Sequence, residues 1–247
     1  MAESRRARAL HTPYATLVEP GSARTDDARQ QSAFSIPNLD FMSLRILIVP
    51  DKFKGSLTAA GAATAIAEGW GKVRPQDQLT LLPMSDGGDG FGEVMSALLG
   101  GKPRVAKTLD AAHRPCAARW WWVADRRIAI IETARVVGLA MLPRGKFHPF
   151  TLDTYGLGVV FKAAIRYGAA QCLVGLGGSA TNDAGFGLAR SLGWQFFDSK
   201  QQTIEQWPDL ARLKRIEKPQ KPHLFPKVQA AVDVQNLLLG RRGATRI

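Results

Sequence analysis

The chain has 247 residues, 45% of them apolar and 22% charged, which is enough for one large domain or two small ones around an ordinary core. Its formal net charge is +12, yet the basic residues are scattered, pairing only as at Arg126-Arg127 and Arg241-Arg242. Without a basic helix or a basic–aromatic stripe, nucleic acid is set aside as a partner; a solvated basic surface or an anionic metabolite fits the charge. No apolar run nears the about 18 residues that a membrane span requires, so no membrane partner is expected.

Residues 1–41 show neither helical nor strand periodicity and are rich in Arg, Ala, Ser and Thr. They lack the apolar segment of a secretory signal. Glu3, Glu19, Asp26 and Asp27 argue against a transit peptide. The stretch is expected to be a disordered extension ahead of a start at Met42.

From Leu44 the texture changes. "LRILIVP" reads as a short buried strand leading into the loop "DKFKGSL". "TAAGAATAIAEGWGKV" reads as a helix with Thr58 at its N-cap. "QLTLLP" is a second strand, "MSDGGDG" a second loop, and "FGEVMSALL" a second helix stopped by Gly100-Gly101. Strand and helix alternate, which predicts a parallel, doubly wound α/β sheet.

Further on, "PRVAKTLD", "CAARWWWVA" and "RIAIIE" are close-set strands, so antiparallel pairing is expected. Trp120, Trp121 and Trp122 read as strand packing, because consecutive strand residues face opposite sides. "TYGLGVVFKAAIRYGA" is a helix and "QCLVGLG" a strand. A helix, the strand "WQFFD", a polar Pro-rich stretch from Ser199 to Pro226 and a last strand, "KVQAAVDV", complete the order. Cys116 and Cys172 form neither a disulfide framework nor a metal pair, and Cys172 reads as a small core residue; a reducing, cytoplasmic compartment fits.

Three loops lie at strand ends, where ligands bind on open α/β sheets. In "DKFKGS", Lys52, Lys54 and Ser56 precede a helix, so ammonium charge adds to free N–H groups and the helix dipole to make an anion site. The bland alternative is a solvated turn whose hydroxyl only caps the helix. In "SDGGDG", Asp86 and Asp89 flank a glycine pair. They suit Mg²⁺, which takes one or two carboxylates plus phosphate oxygens, or a general base for a hydroxyl. They suit a glycine turn with an Asp cap equally well. "GLGGSATND" presents Gly177, Gly178, Ser179, Thr181, Asn182 and Asp183 after a strand. It matches a dinucleotide fingerprint over Gly175–Ala180, with Asp198 lying 18 residues past Ala180 as the ribose acid. An NAD(P)-dependent oxidoreductase is therefore the second reading, although Asp183 would sit where the pyrophosphate should rest. A P-loop is excluded, since no Lys-Ser/Thr pair follows the glycines. If the three loops converge on one mouth, lysines hold phosphate oxygens and Asp86, Asp89 or Asp183 is left for metal or proton work. That is a phosphoryl-transfer layout.

"PDKFKGSLTA", "PMSDGGDG", "IETARVVGL", "GLGGSATNDAG" and "VDVQNLLLGRRGATRI" resemble, in this order, the motifs of bacterial glycerate kinases of the glycerate 2-kinase kind. The resemblance covers residues 44–247. It implies ATP-dependent phosphorylation of D-glycerate to 2-phosphoglycerate with Mg²⁺. It implies a Rossmann- or flavodoxin-like parallel-sheet lobe, from about 42–102, and an inserted mixed α/β lobe, from about 103–247. Carried onto this chain, the resemblance makes Lys52, Asp86 and Asp183 the catalytic candidates. Lys54, Ser56, Gly177, Gly178, Ser179, Thr181 and Asn182 become the substrate- and phosphate-binding ones, and Asp86 and Asp89 the metal ligands. Asp89 stands for a usual Glu, Phe91 for a Thr, Ala184 for a common Gly and Leu237 for a Pro. Family members continue beyond "GATRI", so a C-terminally truncated form with weak or no activity is expected. The oligomeric state is left open.

Overall fold

The computed structural model describes residues 42–220, 224–241 and 243; the disorder expected for 1–41 lies outside them. The apolar run "RILI" forms β1 (Arg45–Ile48), which pairs in parallel with β2 (Gln78–Leu81). Helix α1 (Ala59–Val73) connects them, its first turn closed by Gly61 N donating to the Thr58 hydroxyl at 3.0 Å. Asp77 fastens the return: its carboxylate accepts from Leu44 N, the Trp70 indole and Arg74 Nε. The Arg74 hydrogen bond holds the Asp77 pKa down at about 2. Only Ala59, Ala62 and Ala63 of α1 are buried, while Leu47, Ile66, Val73 and Leu81 stay exposed.

The larger sheet has the order β3-β4-β5-β6-β9. Strands β3 (Lys102–Leu109), β4 (Pro115–Val123) and β5 (Ile128–Glu132) are antiparallel, as the short turns between them require. Strands β6 (Gln171–Gly175) and β9 (Lys227–Ala231) continue in parallel. Mixed pairing within one α/β architecture is what the sequence implied.

The period-2 rule sorts the sheet's two faces. Ala118, Trp120, Ala129, Ile131, Cys172 and Val174 face α4 (Tyr155–Tyr167), which contributes Leu157, Val160, Phe161 and Ala164. Trp120 and Trp122 both meet the Tyr167 ring edge-on, at 5.7 and 5.4 Å. Trp121, Val123, Ile128 and Ile130 face the other way, onto α2 (Phe91–Leu99) through Phe91 and Met95. The three tryptophans thus alternate sides as expected. The contact with α2 is close: a Cβ at Gly92 would lie 1.8 Å from the Trp121 ring. Helix α2, assigned above to the first lobe with a boundary at 102, therefore packs on the second sheet. The reason is hydrophobic. Its apolar stripe has the whole β4–β5 face to cover, whereas the two-stranded sheet offers little area.

The short helices α3 (Ala134–Val137) and α5 (Phe186–Ser191) follow β5 and β6. Strands β7 (Gln195–Asp198) and β8 (Leu213–Glu217) pair antiparallel as a separate ribbon, closed over Phe186, Phe196 and Ile204. The polar Pro-rich stretch holds a 3₁₀ turn, Trp207–Arg212, and β8. Its "LKRIE" escapes a pattern reading because a two-stranded ribbon buries too little to impose strong alternation.

Candidate active site

Loop 51–58 closes on itself before α1 begins. Phe53 N donates to Leu57 O at 2.9 Å and Leu57 N returns to Phe53 O at 3.1 Å. Gly55 makes the turn at a φ of +79°, a left-handed angle suited to glycine. Ser56 Oγ donates to Phe53 O, so part of its hydrogen-bonding capacity goes into the turn. Lys52 reaches across to the second loop, its Nζ 3.5 Å from Asp86 Oδ1. Lys54 makes no ion pair or side-chain hydrogen bond among the described residues.

The second loop joins β2 to α2. Asp86 Oδ1 accepts from Gly88 N at 2.8 Å. That amide and the Lys52 ammonium outweigh partial burial and hold the Asp86 pKa below the usual carboxylate range. The Asp89 carboxylate is exposed and has no hydrogen-bond or ion-pair partner among the described residues. Between the two loops lies a cavity of about 540 Å³; its charged lining is Asp51, Lys52, Lys54, Asp89, Glu93 and Arg135, with the hydroxyls of Ser56, Thr58 and Ser85 beside them.

The sequence reading missed Glu132 and Arg135. Glu132 ends β5 and is 2% exposed. Its carboxylate accepts from Gly90 N at 3.2 Å and Gly92 N at 2.9 Å, so it fills the N-terminus of α2 from outside the helix. Arg135 pairs with Glu93 and lies 3.3 Å from Glu132 Oε2. Burial opposes its charge, but these two carboxylates more than offset that and raise its pKa. The signal was present: a charged residue at the carboxyl end of an otherwise wholly apolar strand marks a strand end facing a site.

The glycine turn after β6 is held by backbone contacts to its neighbours. Leu176 N donates to Ala231 O, Gly177 N to Gly87 O and Ala180 N to Val137 O. A Cβ at Gly177 would lie 2.3 Å from Gly88 Cα, so this glycine permits two backbones to touch. Gly178 lies beside Asp89, and Ser179 Oγ is 3.2 Å from Thr133 Oγ1. Thr181 and Asn182 are half-buried and do not line the cavity.

Asp183, expected at the common mouth, is 3% exposed and turned inward. It accepts from Thr154 N, Thr154 Oγ1, Gly185 N and Gly187 N. It ties the start of α4 to the start of α5, and it does not line the cavity. Lys52, Lys54, Ser56 and Asp89 are therefore the expected groups on the cavity's lining, and Asp86 joins them through Lys52. A carboxylate with four donors around it is satisfied where it stands, which is why Asp183 faces in.

Next to it, Ala184 holds a φ of +52° and Gly185 one of +79°. A left-handed alanine is strained by about 1–2 kcal/mol, part of which glycine's unfolded-state freedom cancels. Ala184→Gly is expected to raise stability by about 0.5–1 kcal/mol, or about 1–3 °C in Tm by calorimetry.

The dinucleotide reading does not survive this geometry. Asp198 sits on β7, which pairs with β8 and not with β6. Its carboxylate is spent on Lys200 N and Gln202 N. Helix α5, six residues long, has its N-terminus taken by Asp183. Neither the ribose acid nor the pyrophosphate seat is where the fingerprint needs it. Among the described residues there is no group of three or more His, Cys, Asp or Glu able to hold a metal, and no helix is long and apolar enough to cross a membrane.

Fold and site together define an α/β protein with lysines and carboxylates gathered where α1 and α2 begin. The chain belongs to the glycerate kinase family, which it matches over residues 46–247. It is 36% identical over 204 residues to a glycerate kinase of Halalkalibacterium halodurans, covering 81% of this chain and 53% of that protein. It is 33% identical over 209 residues to glycerate 2-kinase of Escherichia coli, covering 83% and 54%. A crystal structure of a Salmonella typhimurium LT2 protein assigned as glycerate kinase 2 superposes with a TM-score of 0.71 at 31% identity, covering 83% of this chain and 56% of that one. The chain thus spans about half the length of the curated relatives it matches.

Proposed function

We propose that this chain carries the phosphoryl-transfer site of an ATP-dependent glycerate kinase that converts D-glycerate to 2-phosphoglycerate. The observation that carries the reading is the convergence of Lys52, Lys54 and Asp89 on one cavity at the start of α1, with Asp86 paired to Lys52, in a chain of this family.

The roles follow from charge and placement. Lys54, unpaired among the described residues, and Lys52, loosely paired, supply positive charge for phosphate oxygens and the charge that builds on them during transfer. Asp86, kept ionised by Gly88 N and Lys52, orients Lys52 at the edge of the cavity that Lys52 lines. Asp89, unpartnered, is placed to hold a substrate hydroxyl and take its proton. Arg135, held by Glu132 and Glu93, fixes the far wall. Mg²⁺ fits this donor set only in the manner of one or two carboxylates plus substrate oxygens, with Asp89 and Asp86 as the protein ligands. When bound it would neutralise phosphate charge. Gly177 and Gly178 act by letting the second loop pack closely, and Asp183 by fixing α4 and α5.

This polypeptide by itself is expected to turn over slowly. Leu47, Leu81, Val228 and Val232 are exposed on strands and their continuations. Uncovered apolar area costs about 25 cal/mol per Å², against net domain stabilities of about 5–15 kcal/mol. Incubating the protein at stoichiometric concentration with ATP and D-glycerate, and following ADP with ³¹P NMR of the product, tests the reading. Slow, glycerate-dependent ADP with a 2-phospho product is expected. Absence of any glycerate-dependent ADP overturns the reading.

A further inference from the structure

The cavity beside α1 is larger and greasier than a three-carbon hydroxy acid needs. Its volume of about 540 Å³ lies within the roughly 300–1,000 Å³ typical of sites for drug-sized ligands. Besides the charged groups, its lining includes Phe53, Leu57, Pro83, Met84 and Val94. Phe53 is 55% exposed, Leu57 47% and Met84 54%. Phe53 and Leu57 face each other across an isolated antiparallel bridge, which puts their side chains on one face. The paired hydrogen bonds of that bridge and the Gly55 turn make this face stiff, so the apolar side chains are presented rather than left over. Lys54 lies in the same turn.

We propose that this cavity seats the whole nucleotide, with the purine against Phe53, Leu57 and Met84 and the phosphates directed to Lys54 and Lys52. The inference rests on the kinase reading and deepens it, since that reading does not say which substrate fills the cavity. Glycerate has no apolar face to cover an exposed Phe, Leu and Met, whereas a purine has a flat one, and aromatic side chains stack on any base. The order of the groups matches as well: an apolar wall continues into two lysines, as a nucleotide's base continues into its phosphates, with the carboxylates of Asp51, Asp89 and Glu93 elsewhere on the lining. The acceptor then approaches from the side of the 85–90 loop, where Asp89 and Asp86 stand.

The test is isothermal titration of the chain with ATP, AMP, tripolyphosphate and D-glycerate, on wild type, Phe53→Ala and Lys54→Ala. Both side chains are exposed, so both variants should keep the wild-type thermal midpoint. Phe53→Ala is expected to weaken ATP and AMP by about tenfold or more and to leave tripolyphosphate unchanged. Lys54→Ala should weaken ATP and tripolyphosphate with less effect on AMP. If Phe53→Ala binds ATP like wild type, or if D-glycerate competes ATP out of the cavity, the assignment fails and the kinase reading stands. If Phe53→Ala changes self-association instead of ATP affinity, the face is a polypeptide contact and the assignment fails. If neither ATP nor D-glycerate binds, it falls together with the kinase reading.

Discussion

Asp183→Ala is expected to cost about 3–5 kcal/mol and to push much of the protein out of its folded state. The side chain is a buried junction. It receives the Thr154 amide at 2.9 Å, the Thr154 hydroxyl at 2.8 Å, the Gly185 amide at 3.3 Å and the Gly187 amide at 2.8 Å. The Thr154 hydroxyl in turn accepts from Leu188 N at 2.8 Å, so a second connection between α4 and α5 depends on the same carboxylate. Alanine leaves buried donors without an acceptor, and each orphan costs about 1–3 kcal/mol. Close packing amplifies the loss, because Gly187 abuts Asp153 and Tyr155 too tightly for relaxation. Urea unfolding followed by circular dichroism measures the effect, and Asp183→Asn should fall between alanine and wild type. A stable, well-folded Asp183→Ala with no turnover would instead give Asp183 a role in the chemistry.

Asp89→Asn should show the opposite pattern, with stability kept and catalysis lost. The carboxylate is exposed and makes no contact that asparagine would break, so the unfolding free energy should stay within about 0.5 kcal/mol of wild type. As proton acceptor or metal ligand, its loss should lower glycerate-dependent ADP formation by about 10²–10⁴-fold. A coupled assay on matched amounts of folded protein reads the rate. A shift in the Mg²⁺-dependent thermal midpoint with ADP present gives a second signal that does not depend on turnover. Asp86→Asn should weaken both function and loop order, because Gly88 N and Lys52 rely on that oxygen. If Asp89→Asn keeps full rate and Asp86→Asn loses it, the two roles are exchanged.

The strand–helix order was readable wherever one face had to be buried. β4 and β5 are dense with β-branched and aromatic residues, and the caps Thr58 and Gly100 mark their helices without ambiguity. The ribbon of β7 and β8 was half legible, since Phe196 and Phe197 are apolar whereas "LKRIE" is not. The placement of α2 was not legible. Helix periodicity says which stripe is buried but not which sheet lies under it, and only Gly92 against Trp121 settles that. The lysines and Asp86 could be placed beside one another's loops because a strand–loop–helix junction fixes where they emerge. Asp183 could not be assigned, because a carboxylate after a glycine turn looks the same in sequence whether it faces solvent or four buried donors. Glu132 stood out by its place at a strand end, but its partners did not, being amides of a loop forty residues away in the chain.

Glu132 at the head of α2 also decides how an incoming anion is held. The partial positive charge of that helix, and that of α5, is already neutralised by the protein's own carboxylates. Attraction then falls to the start of α1, whose first turn carries no acidic residue, and to lysine ammonium groups at an open surface, where screening acts fully. The Debye length shrinks from about 10 Å at 0.1 M ionic strength to about 3 Å at 1 M. Capture of a polyanion by this protein should therefore be steeply sensitive to background electrolyte, far more than in proteins that cradle phosphate with buried backbone amides.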